Sequence, residues 1–379
     1  MKSISLLILG LSASLSAAAV PPPGADGKYT ISAPGIRAQF IPFAAAITNL
    51  FVLDKNGIER DIILGHDSPS NYSADPGTHM GAIPGRYANR IGNAQFTLDG
   101  VTYHTPQNDG SNTLHSGPNG WGNRTFEVVA VSDNSITFGI HDPAFSTGMP
   151  GSIDANVTYT LTEKTWKIKI HALSPEARTP LMLTQHTYWN LDAFANPETD
   201  LIWNHTYYTP YSKRLLAPDP NMVPTGEITT IPQGDINDFW SAPKQLGTNL
   251  LTPGWVGNCG TGSGCEGYNN CWLVDKSPRI AKPVATLSSD WSGIKMEIYT
   301  GQAAVQLYSC YWMPGTTPIK STQGGEGAAG NGLIKSGGCV ALEAQDWNDG
   351  INHPEWGRNQ FYGPGDDYNW EATYKFGLL

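Results

Sequence analysis

The sequence predicts an all-β protein, a large antiparallel β-sandwich. Three observations carry this expectation. From Tyr29 onward apolar residues recur with a period of two, and no segment of useful length shows a helical period. Several of these runs come in pairs around short turn signals. The chain is also rich in turn formers, with 42 Gly and 28 Pro to serve the loops between many short strands.

Taken in order, the first 19 residues read as a signal peptide. Lys2 supplies the positive start, residues 4–15 the short apolar run, and Ala17-Ala18-Ala19 the small-residue cleavage site. The run is too short to span a bilayer, and no later run approaches the necessary length. Residues 20–379 are then expected to form one domain. Runs 95–98 and 101–104 flank Asp99-Gly100, a hairpin turn pair. Runs 126–131 and 136–140 flank Asp133-Asn134, and runs 156–161 and 166–172 flank Glu163-Lys164. Further strands are expected at 271–274, 285–287, 295–300, 304–311, 339–343 and 370–376. The loose stretches 250–270 and 314–338 read as insertions, because strand patterns resume on both sides; loops of that length are usually functional.

Composition narrows the class. Asp and Glu number 33 against 23 Lys and Arg, a formal charge of -10 with no basic run. This excludes nucleic acid and anionic membranes as partners, since both require clustered cations. Asn71, Asn123, Asn156 and Asn204 each open an Asn-x-Ser/Thr sequon, compatible with glycosylation in a secretory pathway. A secreted protein is expected. Its five cysteines are Cys259, Cys265, Cys271, Cys310 and Cys339, an odd number for an oxidising compartment. Cys259 and Cys265 are close enough in a Gly-rich loop to close on each other. Structural disulfides with one thiol left over are expected. No spacing pairs Cys with His as a zinc site would.

Chemistry concentrates where polar residues interrupt apolar strands. In 338–349 a period-2 run ends with Glu343, Gln345, Asp346 and Trp347. Carboxylates are rarely buried unless something uses or pairs them. A carboxylate on a strand's solvated face is the ordinary alternative, and this stretch alone favours it. Three further segments stand out: Gly85-Arg86-Tyr87-Ala88-Asn89-Arg90-Ile91, Asn112-Thr113-Leu114-His115-Ser116-Gly117, and residues 183–191, where His186 stands among Gln185, Tyr188, Trp189 and Asn190. Rings that stack on C–H faces beside amides that bond hydroxyls are what a sugar site needs. An amphipathic strand packing its aromatics explains 183–191 equally well when it is taken alone. His104, His141, His171 and His205 read as ordinary core or surface histidines.

Together these segments resemble the aldose 1-epimerase (galactose mutarotase) family, over nearly the whole chain after the targeting segment. The resemblance continues in order through Tyr208-Thr209-Pro210, Val223-Pro224-Thr225-Gly226-Glu227, Val305-Gln306-Leu307-Tyr308 and Ala341-Leu342-Glu343-Ala344-Gln345. It implies a large β-sandwich that interconverts the α and β anomers of free hexoses such as glucose or galactose, without a cofactor or metal. It further implies Glu343 as the base at the C1 hydroxyl, His186 as the acid at the ring oxygen, and His115 assisting there. Arg86, Asn89, Asn269 and Gln306 would bind the sugar.

The chemistry suits these residue types. Opening a hemiacetal removes a proton at O1 and delivers one at O5; rotation about C1–C2 and closure reverse both transfers. A carboxylate and an imidazole can exchange those roles near neutral pH. If Gln306 and Glu343 oppose each other on neighbouring antiparallel strands, Cys310 opposes Cys339 four residues along, and a Cys310–Cys339 disulfide is expected. One departure stands out. Where the family has an Asp that grips sugar hydroxyls, this chain has Asn269, which loses a charge-assisted bond. That leaves room for another sugar or lactol as substrate. A carbohydrate-binding protein without turnover would be expected to lack Glu343 or His186, and both are present. A sugar-phosphate epimerase would need a cationic clamp.

Overall fold

The computed structural model describes residues 20–260, 264–275, 281–327 and 329–379. Residues 1–19, where a signal peptide is expected, lie outside the described residues. Two large antiparallel sheets carry the architecture. The outer sheet has nine strands, built around Ile153–Thr162, Thr165–Leu173, Ile294–Thr300 and Tyr368–Leu378. The inner sheet has six, in the order Tyr188–Trp189, Val340–Gln345, Ala304–Tyr308, Asn269–Leu273, Arg214–Pro218 and Pro224–Thr230.

The outer strands form where the period-2 pattern foretells. Ile153–Thr162 and Thr165–Leu173 pair without a break from Asp154↔Leu173 to Thr162↔Thr165, turning through Glu163 and Lys164. Val157, Tyr159 and Leu161 thereby share one face with Trp166, Ile168 and Ile170, and all six are buried. The inner sheet lays Trp272, Val305, Leu307, Val340, Leu342 and Ala344 against that face, forming the main core. Each fully buried side chain of this size contributes about 1.5–3 kcal/mol. Trp370 crosses between the layers, its Nε1–H donating to the Ala344 carbonyl at 2.9 Å.

A four-stranded sheet, Tyr29–Ala33, Ile36–Phe40, Ile47–Leu53 and Glu59–Asp61, packs beside the sandwich and stacks Phe40 on Tyr159 at 4.6 Å. The single α-helix among the described residues is the short Pro69–Ala74. No helix of the described residues is long and apolar enough to cross a membrane.

The expected strand 304–311 stops at Tyr308. Cys310 takes a left-handed φ of 58° and turns the chain out of the ladder. The backbone N–H of Trp312 then donates to the Tyr308 hydroxyl at 2.8 Å. Just past the end of the ladder, Cys310 and Cys339 are joined as a disulfide with their Cα atoms 5.5 Å apart. Cys259 and Cys265 form the second bridge. Cys271 is the buried free thiol. Of the two loose stretches, 314–338 contains its own two-stranded ladder, Thr317–Pro318 against Leu333–Ile334.

Leu342 is fully buried between the sheets. Leu342→Ala is expected to lower the unfolding free energy by about 2–5 kcal/mol, measured by urea titration. A loss well under about 1 kcal/mol would contradict its place in the core.

Candidate active site

Alternation decides which side chains meet. Val340, Leu342 and Ala344 face the core, so Ala341, Glu343 and Gln345 face the other way. On the neighbouring strand Val305 and Leu307 face the core, which turns Gln306 and Tyr308 to the same side as Glu343. The ladder pairs Gln306 with Glu343 and Cys271 with Gln306. This face floors a cavity of about 590 Å³ whose lining includes Glu343, His186, His115, Asn269 and Tyr308.

His186 is held by its backbone. Its N–H donates to the Ala82 carbonyl and its carbonyl accepts from Gly81, both at 2.9 Å. The Tyr188 hydroxyl donates to the Thr78 carbonyl at 2.8 Å, clamping the same two segments together. His186 Nε2 stands 3.7 Å from Glu343 Oε1. His186 Nδ1 and Glu343 Oε2 are buried without a partner among the described residues. Burial drives both groups toward neutrality. The Glu343 carboxyl is pushed up to about 8 by desolvation, against a smaller opposing pull from Arg90. The His186 imidazole is pushed down to about 3, again chiefly by desolvation.

His115 is fixed by Asn89. Its backbone N–H donates to the Asn89 carbonyl at 2.9 Å, and its Nδ1 accepts the Asn89 backbone N–H at 3.1 Å. A backbone N–H can only donate, so neutral His115 carries its proton on Nε2 and is a hydrogen-bond donor there. Ser116 ties the same segments together, accepting from the Tyr87 N–H at 2.8 Å. The His115 and His186 rings meet edge to face at 5.2 Å.

His79 is a member of the site that the sequence reading passes over. Its ring lies 4.8 Å from that of His115 and 6.1 Å from that of His186. Desolvation pushes it down to about 4. The signal for it was its place in Gly77-Thr78-His79, a polar stretch with no strand pattern, and that signal is weak. Among the described residues no group of three His, Cys, Asp or Glu side chains is arranged to hold a metal ion.

Three sequence-derived binding residues reach this region and one does not. Asn89 and Asn269 line the cavity. Gln306 lies behind Asn269 in a side crevice of about 10 Å³ that also touches Asn89 and Arg90. Arg86 is absent from the cavity lining and is fully buried. Its guanidinium pairs with buried Asp142 at 2.9 Å and donates to the carbonyls of Pro150 and Gly151. A guanidinium with its donors already engaged inside the protein has none to offer a ligand. Arg90, four residues on, lines the cavity in its place, with Nε bound to Asp109 at 2.6 Å. The sequence put two arginines in one segment, and only side-chain direction separates them. At the rim, Trp312 is half-exposed and stacked on Tyr308 at 5.6 Å.

The fold and site together define a β-sandwich protein whose cavity holds a buried carboxyl–imidazole couple among amides and aromatic rings. The model of the family described as Aldose 1-epimerase matches residues 27–375. A probable aldose 1-epimerase from Arthroderma benhamiae is 37% identical, covering 92% of this chain and 86% of that protein. A galactose mutarotase from Bos taurus is 30% identical over 94% of this chain and 95% of that protein. Among solved structures, a GalM/aldose epimerase homologue from C. elegans superposes with a TM-score of 0.80 at 27% identity, covering 93% of this chain and 99% of that one. The chain belongs to the aldose 1-epimerase family and is an isomerase.

Buried Asp142 is shared by Arg86 and the half-buried Arg124, so Arg86→Ala removes the fully buried one of its two cations and strands the Pro150 and Gly151 carbonyls. It is expected to cost about 3–5 kcal/mol of stability in chemical denaturation. A variant of normal stability with a raised KM would instead point to a ligand-binding arginine.

Proposed function

We propose that the protein interconverts the α and β anomers of a free aldose by acid–base opening and closing of the ring. The observation that carries this reading is the His186–Glu343 couple at 3.7 Å, buried and otherwise unpartnered at the cavity floor. Between about 3 and about 8 the couple holds one proton, the number the reaction requires. In the empty cavity that proton rests on Glu343. Hydrogen bonds from sugar hydroxyls to the Glu343 carboxylate favour its charged form and move the proton to His186.

Glu343 then accepts the proton of the C1 hydroxyl while His186 delivers its own to the ring oxygen, and C1–O5 breaks. Nε2–H of His115 donates a second hydrogen bond at the ring oxygen. After rotation about C1–C2 the transfers run backwards, and the couple returns to its starting state. Each group contributes on the order of 10²–10⁴-fold. Asn89, Arg90 and Asn269 hold the hydroxyls, and Gln306 acts behind Asn269. Glucose and galactose are the reference aldoses for testing this reading, since relatives carry the name galactose mutarotase.

The two disulfides, the expected leader at 1–19 and the sequons support a secreted protein with residues 20–379 working as one unit. Asn71 and Asn156 are the exposed sequon residues, and they are the favoured glycosylation sites; Asn123 and Asn204 are half-buried.

The test is anomer exchange on freshly dissolved α-D-glucose and α-D-galactose, followed by NMR against the uncatalysed rate. Glu343→Gln is expected to lower kcat by at least about 10²-fold. Equal rates for wild type and variant would remove Glu343 from the reaction. The same exchange followed against pH checks the proton inventory. Above about 8 the couple loses its only proton, so kcat/KM is expected to fall about tenfold per pH unit on that side. A flat profile through this range would contradict the assignment.

Stability moves the other way. A carboxyl raised from 4.5 to about 8 on folding stabilises least above its folded value, so its cost grows as pH rises between the two. Glu343→Gln is therefore expected to raise Tm by about 1–4 °C near pH 8, with a smaller gain at about pH 5.

A further inference from the structure

The proton polarity of one cavity wall points to a substrate class narrower than free aldoses in general. Four amide side chains form a chain of donors in one direction. Gln345 Nε2 donates to Asn348 Oδ1, Asn348 Nδ2 to Gln306 Oε1 at 3.0 Å, and Gln306 Nε2 to Asn269 Oδ1 at 2.8 Å. The chain is anchored at its far end, where Gln345 Nε2 also faces the Asp346 backbone carbonyl at 3.4 Å. A carbonyl can only accept, so the nitrogen of Gln345 belongs there and the direction of the whole chain follows. Asn269 thus spends its oxygen inward. Its Nδ2–H₂, a donor, has no protein partner among the described residues and is free for the cavity.

Its neighbours on the wall are committed in the same sense. Asn89 Oδ1 accepts the Arg90 backbone N–H at 3.1 Å, which leaves Asn89 Nδ2 as its free end. Arg90 binds Asp109 through Nε alone, and its two Nη groups have no protein partner among the described residues. His115 has its Nδ1 engaged by the Asn89 N–H and presents Nε2–H. Two carboxylates line the cavity beside this wall: Glu343 at the floor, and Asp109, which Arg90 holds in an ion pair at 2.6 Å. The side crevice between Asn89, Arg90, Asn269 and Gln306, about 10 Å³, has room for about one water-sized group.

A neutral hydroxyl placed here can accept hydrogen bonds, but its own proton faces a wall of donors. A carboxylate has lone pairs only, and one oxygen fits the crevice. Bonds to it are charge-assisted and roughly twice as strong as neutral ones. Resting on the anomerase reading above, we propose that the preferred substrate is an aldose bearing a carboxylate, a hexuronic acid, with Asn269 and Arg90 selecting the acid group. Asn269 is a specificity residue: it touches the substrate away from the bonds that change, and Glu343 and His186 perform the same proton transfers on C1–O1 and C1–O5.

The experiment compares anomer exchange on D-glucuronate and D-galacturonate with that on D-glucose and D-galactose, for wild type and Asn269→Asp. The aspartate presents an acceptor and a like charge where the amide presents a donor. In wild type the kcat/KM ratio of uronate to matching hexose is expected to exceed one. In Asn269→Asp the ratio is expected to fall by at least about tenfold, the loss of one charge-assisted contact. A wild-type ratio below one, or a ratio unmoved by the substitution, overturns the proposal while leaving the anomerase reading intact. Folded wild type that accelerates none of the four sugars overturns that reading and the proposal with it. Should Asn269→Asp fail to fold, thermal shift of Glu343→Gln decides. At equal concentration the uronates should raise its Tm more than the hexoses do, and the reverse order overturns the proposal.

Discussion

The ladder that pairs Gln306 with Glu343 is the constraint on which both core and site depend. Antiparallel pairing fixes which residues stand opposite, and the pleat sends alternate residues to opposite faces. A slip of one residue would carry Glu343 into the Trp166–Trp189–Tyr374 core and turn Leu342 into the cavity. The apolar energy of the sandwich therefore enforces the register, and the register sets the position of Glu343. The geometry of the cavity floor is a by-product of core packing, held by far more free energy than the floor's own few contacts supply.

The same burial sets the electrostatics. Glu343, His186, His115 and His79 have all been taken out of water, and for each the largest effect is the loss of solvation. A carboxylate and an imidazole so placed each favour the neutral form, and a single proton between them is the stable inventory. Arg90 moderates this, lowering the Glu343 carboxyl and also disfavouring charge on His115. The donor-lined wall and the His186–Glu343 couple are thus parts of one field.

Much of this was legible in the sequence. Period-2 runs located the hairpins at Asp99-Gly100 and Glu163-Lys164, and the inner strand ending in Glu343. The Cys310–Cys339 bridge followed from the register that the family resemblance implied for Gln306 and Glu343, although the ladder itself ends two residues earlier at Tyr308. What the sequence hid was direction and partnership. Arg86 and Arg90 look alike in Gly-Arg-Tyr-Ala-Asn-Arg, yet one is consumed by Asp142 and the other faces the cavity. His79 enters the site through contacts between segments far apart in the chain. The strands before residue 61 were not picked out one by one, although local turn chemistry marks them: Pro34-Gly35 joins the first two, and Asp54 with Gly57 closes the turn before Glu59–Asp61. The orientation of the Asn269 amide depends on Gln306, Asn348 and Gln345, residues whose proximity no local pattern encodes.

The remaining cysteine bears on how the chain matures. Cys271 lies in the middle of the inner sheet, directly opposite Gln306, and burial pushes its thiol up to about 12. Exchange among disulfides proceeds through thiolates, so a thiol held this far from ionisation cannot attack either neighbouring bridge once the sheet has closed. Before closure all five sulfurs are equivalent partners. The order of events during oxidative folding then decides fidelity: if the inner sheet zips first, the odd sulfur is withdrawn from the pool, and the two native bridges form among the four that remain.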